Sequence, residues 1–278
     1  MTEPGSPAAA PAAAAAAVAA APPVAPPAAR NISAVTSGKG GVGKTFLSAN
    51  LAAALARAGR RVLVLDADLG LANLDVVLNL FPKLTLHDVF TGKVKLHDAI
   101  LPAPGGFSVL LAGSGLVEYS RMTPEVRVQL QRVIDEVAPR YDHVLLDTGA
   151  GISDVVLYTV SLAGQVLVAA TPEPTSLADA YATIKVLAAT QGRRRIQLIV
   201  NQVRRTGEGR QVRAQLQQVV DRYVNPTLDA AVRIELLGEV PADPAVRDAV
   251  LRRQLLLETL PGSAAALALV ALAARMPE

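Results

Sequence analysis

Two apolar rhythms alternate along the chain. Short runs rich in Val, Ile and Leu, at residues 32–36, 61–66, 107–111, 143–147, 165–170, 196–200 and 236–240, read as strands. Several are apolar at successive positions, as expected for strands covered on both faces of a sheet. Between them the spacing changes to that of helices. Leu47, Leu51 and Leu55 recur every four residues until Gly59 stops the pattern. A second helix begins at Thr123-Pro124-Glu125, which supplies an N-cap, a first-turn proline and a first-turn acid. Further helical patterns cover residues 176–189, 210–223, 244–252 and 262–274. Strand and helix alternating over this length predict an α/β fold, a doubly wound, mostly parallel sheet with helices on both faces.

Composition adjusts that picture. Residues 1–30 are Ala and Pro with little else; Glu3 and six prolines between positions 7 and 27 rule out the basic start and unbroken apolar run of a signal peptide. The expectation is a disordered tail over 1–30 followed by one folded domain over 31–278. The apolar stretch 264–274 is too short to cross a bilayer, which takes about 20 residues, and reads as a buried terminal helix of a soluble protein. Of the 278 residues, 51% are apolar but only 3% aromatic, so the core must be aliphatic. There are no cysteines, which excludes disulfides, thiolate metal sites, iron–sulfur clusters and a Cys nucleophile. A net charge of +3 is too small to mark a nucleic-acid-binding protein by itself.

The chemistry starts after the first strand. Gly38-Lys39-Gly40-Gly41-Val42-Gly43-Lys44-Thr45 fits G-x-x-x-x-G-K-[ST]. In such a loop the glycines let backbone N–H groups turn toward phosphate oxygens at the positive end of the next helix. Lys44 would reach the β- and γ-phosphates of ATP, and the Thr45 hydroxyl would ligate Mg²⁺. Gly38, Gly40 and Gly43 also fit the dinucleotide pattern G-x-G-x-x-G, with Asp66 about twenty residues on. The Lys-Thr pair argues against that rival, as does Asp147, an acid closing an apolar strand where a Walker B carboxylate would hold Mg²⁺.

The second lysine of this loop, Lys39, makes the segment resemble the deviant Walker A motif of the MinD/ParA family. That resemblance implies an ATPase that forms a homodimer with ATP, with Lys39 contacting phosphate across the dimer. The run Asp66-Ala67-Asp68-Leu69-Gly70 resembles the family's switch I, implying Asp66 near Mg²⁺ and Asp68 orienting the attacking water. Residues 147–154 resemble switch II. Asn201 matches the position that reads adenine, and Pro241 lies in a run that resembles the segment packing on the base. Phe46 replaces the hydroxyl or amide residue that commonly follows the P-loop Thr, leaving its backbone N–H for the α-phosphate.

Within the family, residues 171–185, 111–115 and 147–154 look most like the branch that sets flagellar number and placement (FlhG/FleN, YlxH). The partners this implies are a flagellar GTPase of the signal-recognition type or a flagellar regulator. The location it implies is the cytoplasm, with attachment to the inner face of the plasma membrane open. Two departures count against parts of that picture: no basic amphipathic helix follows the terminal core helix, and the tail lacks the Asp-Gln…Leu-Arg segment used on the partner GTPase. A partition-type ATPase that coats DNA is the alternative, motivated by Arg193, Arg194, Arg195, Arg204, Arg205, Arg210, Arg213, Arg252 and Arg253. Solvated surface charge on an Arg-rich chain is the favoured reading of these arginines.

Overall fold

The computed structural model describes residues 31–113 and 122–276. The Ala/Pro-rich stretch 1–30, positions 114–115 of the branch-type run, and Pro277 and Glu278 lie outside the described residues.

Every strand read from the sequence is present. The elements run β1 (Ile32–Ser37), α1 (Lys44–Arg57), β2 (Val62–Ala67), α2 (Leu74–Leu78), α3 (Leu86–Phe90), α4 (Leu96–Ala99), β3 (Ile100–Pro102) and β4 (Ser108–Leu110). They continue with α5 (Pro124–Val137), β5 (His143–Ala150), α6 (Asp154–Ser161), β6 (Gln165–Ala170), α7 (Pro174–Gln191), β7 (Arg195–Val203) and α8 (Glu208–Tyr223). The chain closes with β8 (Arg233–Pro241), α9 (Pro244–Leu251), α10 (Leu256–Thr259) and α11 (Ala264–Ala273). One eight-stranded sheet results, in the order β3-β4-β2-β5-β1-β6-β7-β8. All neighbouring pairs are parallel except β3 with β4. Strand β3 escapes the sequence pattern because three residues at a sheet edge carry no periodicity.

The alternating strand residues divide the core in two. Ile32, Leu65, Val144, Val168 and Leu198 face the apolar sides of α5, α6, α7 and α8. Val35, Val64, Leu145, Leu167 and Ile199 face α1, α10 and α11. Helix α1 is buried along almost its whole length, because it lies between the sheet and α11. Leu47 and Leu51 are fully buried there, and trimming either to Ala would cost about 2–5 kcal/mol.

The helix starts differ in a way that matters for function. Side-chain oxygens of Thr123, Ser153, Asp243 and Ser263 cap α5, α6, α9 and α11 by accepting a first-turn N–H. Helix α1 has no such cap: Gly43 precedes it in the left-handed region, with φ 96°, and contributes no side chain. The free N–H groups of its first turn therefore face the carboxyl edge of the sheet, between β1 and its neighbours.

Candidate phosphate-binding site

The loop after β1 owes its shape to glycine. Gly41 and Gly43 both have positive φ, which L side chains rarely adopt. Space is a second constraint: a Cβ at Gly43 would lie 2.5 Å from Asn201 Nδ2, and one at Gly38 would run into the backbone of Asp179 on α7. Lys44 lies folded under the loop, and its Nζ donates to Ser37 Oγ at 3.0 Å. Ser37 Oγ in turn donates to Lys39 O at 2.7 Å. Burial lowers the Lys44 pKa, while the charges of Asp147 and Asp68 pull it back up. A buried ammonium beneath a glycine loop at an uncapped helix start is an anion site.

The carboxylates gather on the β2–β5 flank. Asp66 and Asp147 are register partners on adjacent parallel strands, so the ladder places the two acids side by side. Both are buried. Asp66 accepts from Leu74 N and Asp68 N, each at 3.3 Å. Desolvation, with Asp147 beside it, pushes its pKa well up. Asp147 accepts from Ser48 Oγ at 2.9 Å and from the Thr45 hydroxyl, yet burial still raises its pKa to about 6. Two buried carboxyls raised in this way would be favoured in their charged form by a nearby cation. Asp68 lies in the wall of an open cleft of ≈ 840 Å³ that it shares with Gly40, Lys44, Thr45 and Gly149. Strand β5 runs three residues beyond the expected end at Asp147, because Thr148 pairs with Ala67 and Ala150 with Ser37. Gly149 thus stays in the strand, where a Cβ would come within 3.2 Å of the Asp68 carboxylate.

The opposite flank is neutral. Asn201, at the end of β7, donates from Nδ2 to Val42 O at 2.8 Å and accepts Gln202 N–H at 3.0 Å. It braces the phosphate loop from the side. Pro241 ends β8 opposite Val203. The Phe46 ring turns into the core, leaving only backbone at that position toward the loop. Lys39 points away from its own loop: Nζ lies 3.2 Å from Glu173 Oε2 and 3.0 Å from Thr175 Oγ1, partly exposed. An ion pair this open to water is worth no more than about 1 kcal/mol and can be given up.

Several residues in this arrangement escaped the motif reading. Ser37, Ser48, Glu173 and Thr175 bond to motif residues; Glu173 and Thr175 fall within the 171–185 run without being singled out as site residues, and Ser48 is a polar position one turn after Lys44. Among the described residues no group of three His, Cys, Asp or Glu forms a metal cage. That suits Mg²⁺, which keeps waters and phosphate oxygens and needs only one or two protein oxygens. Thr45, Asp147 and Asp66 are the residues that would hold it, and the metal would supply charge neutralisation at the phosphates.

A loop of this kind at the carboxyl edge of a doubly wound sheet, with a buried lysine and paired strand-end aspartates, defines a P-loop nucleoside triphosphatase. Residues 33–257 match the CobQ/CobB/MinD/ParA nucleotide binding domain. The chain belongs to that family and is an ATPase of MinD/ParA type that uses ATP and Mg²⁺. It is 42% identical over 245 residues to the antiactivator FleN of Pseudomonas aeruginosa, covering 88% of this chain and 85% of FleN. It is 32% identical to the flagellum site-determining protein YlxH of Helicobacter pylori, covering 82% of this chain and 75% of YlxH. The septum site-determining protein MinD of Pyrococcus horikoshii, complexed with Mg-ADP, superposes with a TM-score of 0.70 at 28% identity, covering 88% of this chain and 94% of MinD.

Proposed function

We propose that this ATPase is a molecular switch that dimerises on binding ATP and regulates flagellar number or placement. The observation that carries the switch is the position of Lys39. It is tethered at the mouth of the site by an exposed, weak pair with Glu173 rather than folded onto its own phosphate loop. A lysine so placed can exchange Glu173 for the phosphates of a second subunit, while Lys44 serves its own chain. Asp68 positions the attacking water, and Asp66 and Asp147 serve the metal with Thr45. Asn201 and Pro241 flank the base. The flagellar output rests on the likeness to FleN and YlxH. A flagellar GTPase or regulator is the partner this reading expects, and the cytoplasm its location. Among the described residues no helix is long and apolar enough to cross a membrane.

The test is light scattering of the parent and Lys39→Ala with ATP and Mg²⁺. The parent should shift from monomer to dimer; the variant should bind ATP and stay monomeric. Equal dimerisation of both would sink the shared-site reading.

The DNA-coating alternative draws less support. Arg193 donates to Val160 O and Ala163 O at the end of α6, Arg194 and Arg195 pair with Asp229 and Glu235, and Arg213 donates to Ile234 O. Those four guanidinium groups serve the fold. Tight, salt-sensitive retention of nonspecific DNA with ATP in a filter assay would reverse this preference.

A further inference from the structure

Three described residues other than glycine have positive φ, and one of them, Gln202 with φ 61°, follows directly on Asn201 at the nucleotide site. The pairing of β7 with β8 slips there: Asn201 faces Val240 and Val203 faces Pro241, so Gln202 is an extra residue in the ladder. Such bulges re-aim a side chain. A non-glycine residue stays in the left-handed region only where its surroundings over-determine it.

Here they do. Asn201 is fixed on Val42 O at 2.8 Å, and its Oδ1 accepts Gln202 N–H at 3.0 Å. Beyond the bulge, Glu208 Oε2 accepts Arg204 N–H at 2.7 Å. Glu239 of β8 accepts Gly207 N–H and Gly209 N–H, each at 2.7 Å. A Cβ at Gly209 would sit 2.6 Å from Glu239 Oε2, so the clamp requires glycine there. The backbone from Asn201 to Gly209 is held at both ends, and the exposed residue at its strained point is a carboxamide.

Gln202 stands on the β7–β8 flank of the phosphate loop, opposite the acids. The acids occupy the β2–β5 side of the phosphate loop, so the nucleoside must extend over the other side, toward the ends of β7 and β8. The Asn201 amide is already engaged with Val42 and with the Gln202 backbone.

We propose that Gln202 is a specificity-determining residue that reads the edge of the adenine. Its amide oxygen accepts from the 6-amino group and its amide nitrogen donates to a ring nitrogen. The assignment rests on the reading that the base lies between Asn201 and Pro241.

The test is steady-state hydrolysis of ATP, GTP and purine riboside triphosphate, which lacks the 6-amino group. Gln202→Gly relaxes the positive φ, so its melting temperature should hold or rise. Its preference for ATP over purine riboside triphosphate should fall about tenfold, through KM rather than kcat. Gln202→Glu presents only acceptors, which match the N1–H and 2-amino donors of guanine, so its preference should move toward GTP. Folded variants with parental selectivity ratios would overturn the proposal. Pro241→Gly separates the two ways of failing. If it raises KM for all three triphosphates while the Gln202 variants keep parental ratios, the base site stands and the Gln202 assignment falls. If it moves none of them, the location of the base falls as well.

Discussion

The two flanks of the phosphate loop are built on opposite principles. On the β2–β5 side, Asp66 and Asp147 are carboxyls packed side by side with raised pKa values. On the β7–β8 side, Asn201 spans from the loop to the next backbone N–H with both bonds already made. The first flank holds its acids against the cost of desolvation, whereas the second satisfies its amide within the fold. Charge that must change during a turnover sits where the fold leaves it unbalanced, and the neutral scaffold sits where hydrogen bonds can hold it still.

Substitutions can break or sharpen that contrast. The largest expected effect is on the acidic flank: Asp68→Ala should cut the steady-state rate by about 10²–10³-fold while leaving ATP affinity, measured by equilibrium binding, nearly unchanged. Unaltered turnover would remove Asp68 from the chemistry.

The next effect is on stability. The Asp147 carboxyl has a folded pKa of about 6 against an ordinary value of 3.8. A carboxyl raised in this way favours the fold while protonated. That contribution is complete below the unfolded value and is lost as pH rises through the folded one. Nucleotide-free protein should therefore lose about 2 kcal/mol between pH 4 and pH 7 from this group alone. Asp66 shifts in the same direction. Chemical denaturation across that range should show the fall, and Asp147→Asn should make it shallower; a parent profile already flat would mean the flank is not under electrostatic strain.

The smallest effect belongs to the neutral flank. Asn201→Ala removes the bonds to Val42 O and Gln202 N and should cost about 1–2 kcal/mol of stability with no dependence on pH in the same range. A pH-dependent loss would blur the distinction between the flanks.

The acidic flank was also the more legible one in the sequence. Lys44, Thr45 and Asp147 lie in motifs whose spacing is set by one turn of chain or the end of one strand, so local pattern suffices to find them. The long strands were readable for the same reason, being continuous apolar runs. Short elements such as α2, α4 and α10 bury only one or two side chains each, too few to impose a period. Contacts across the sheet left even less trace. Ser48 reaches Asp147 over 99 residues and Lys39 reaches Glu173 over 134, and nothing at either end signals the other. The bulge at Gln202 is likewise a property of two strands together, because it exists only as a slip in the pairing between β7 and β8.

The missing cap of α1 couples this ATPase's durability to its cellular supply of ligand. Four other helices carry their own capping oxygen, so their ends are finished by covalent sequence. Helix α1 carries none, and under the proposed function the phosphates of a bound nucleotide would complete its first turn. By mass action, a nucleotide at 100 times its dissociation constant adds about 2.7 kcal/mol to the folded state. A cell short of ATP would then hold a protein that is both idle and easier to unfold, so that energy status sets its lifetime as well as its activity.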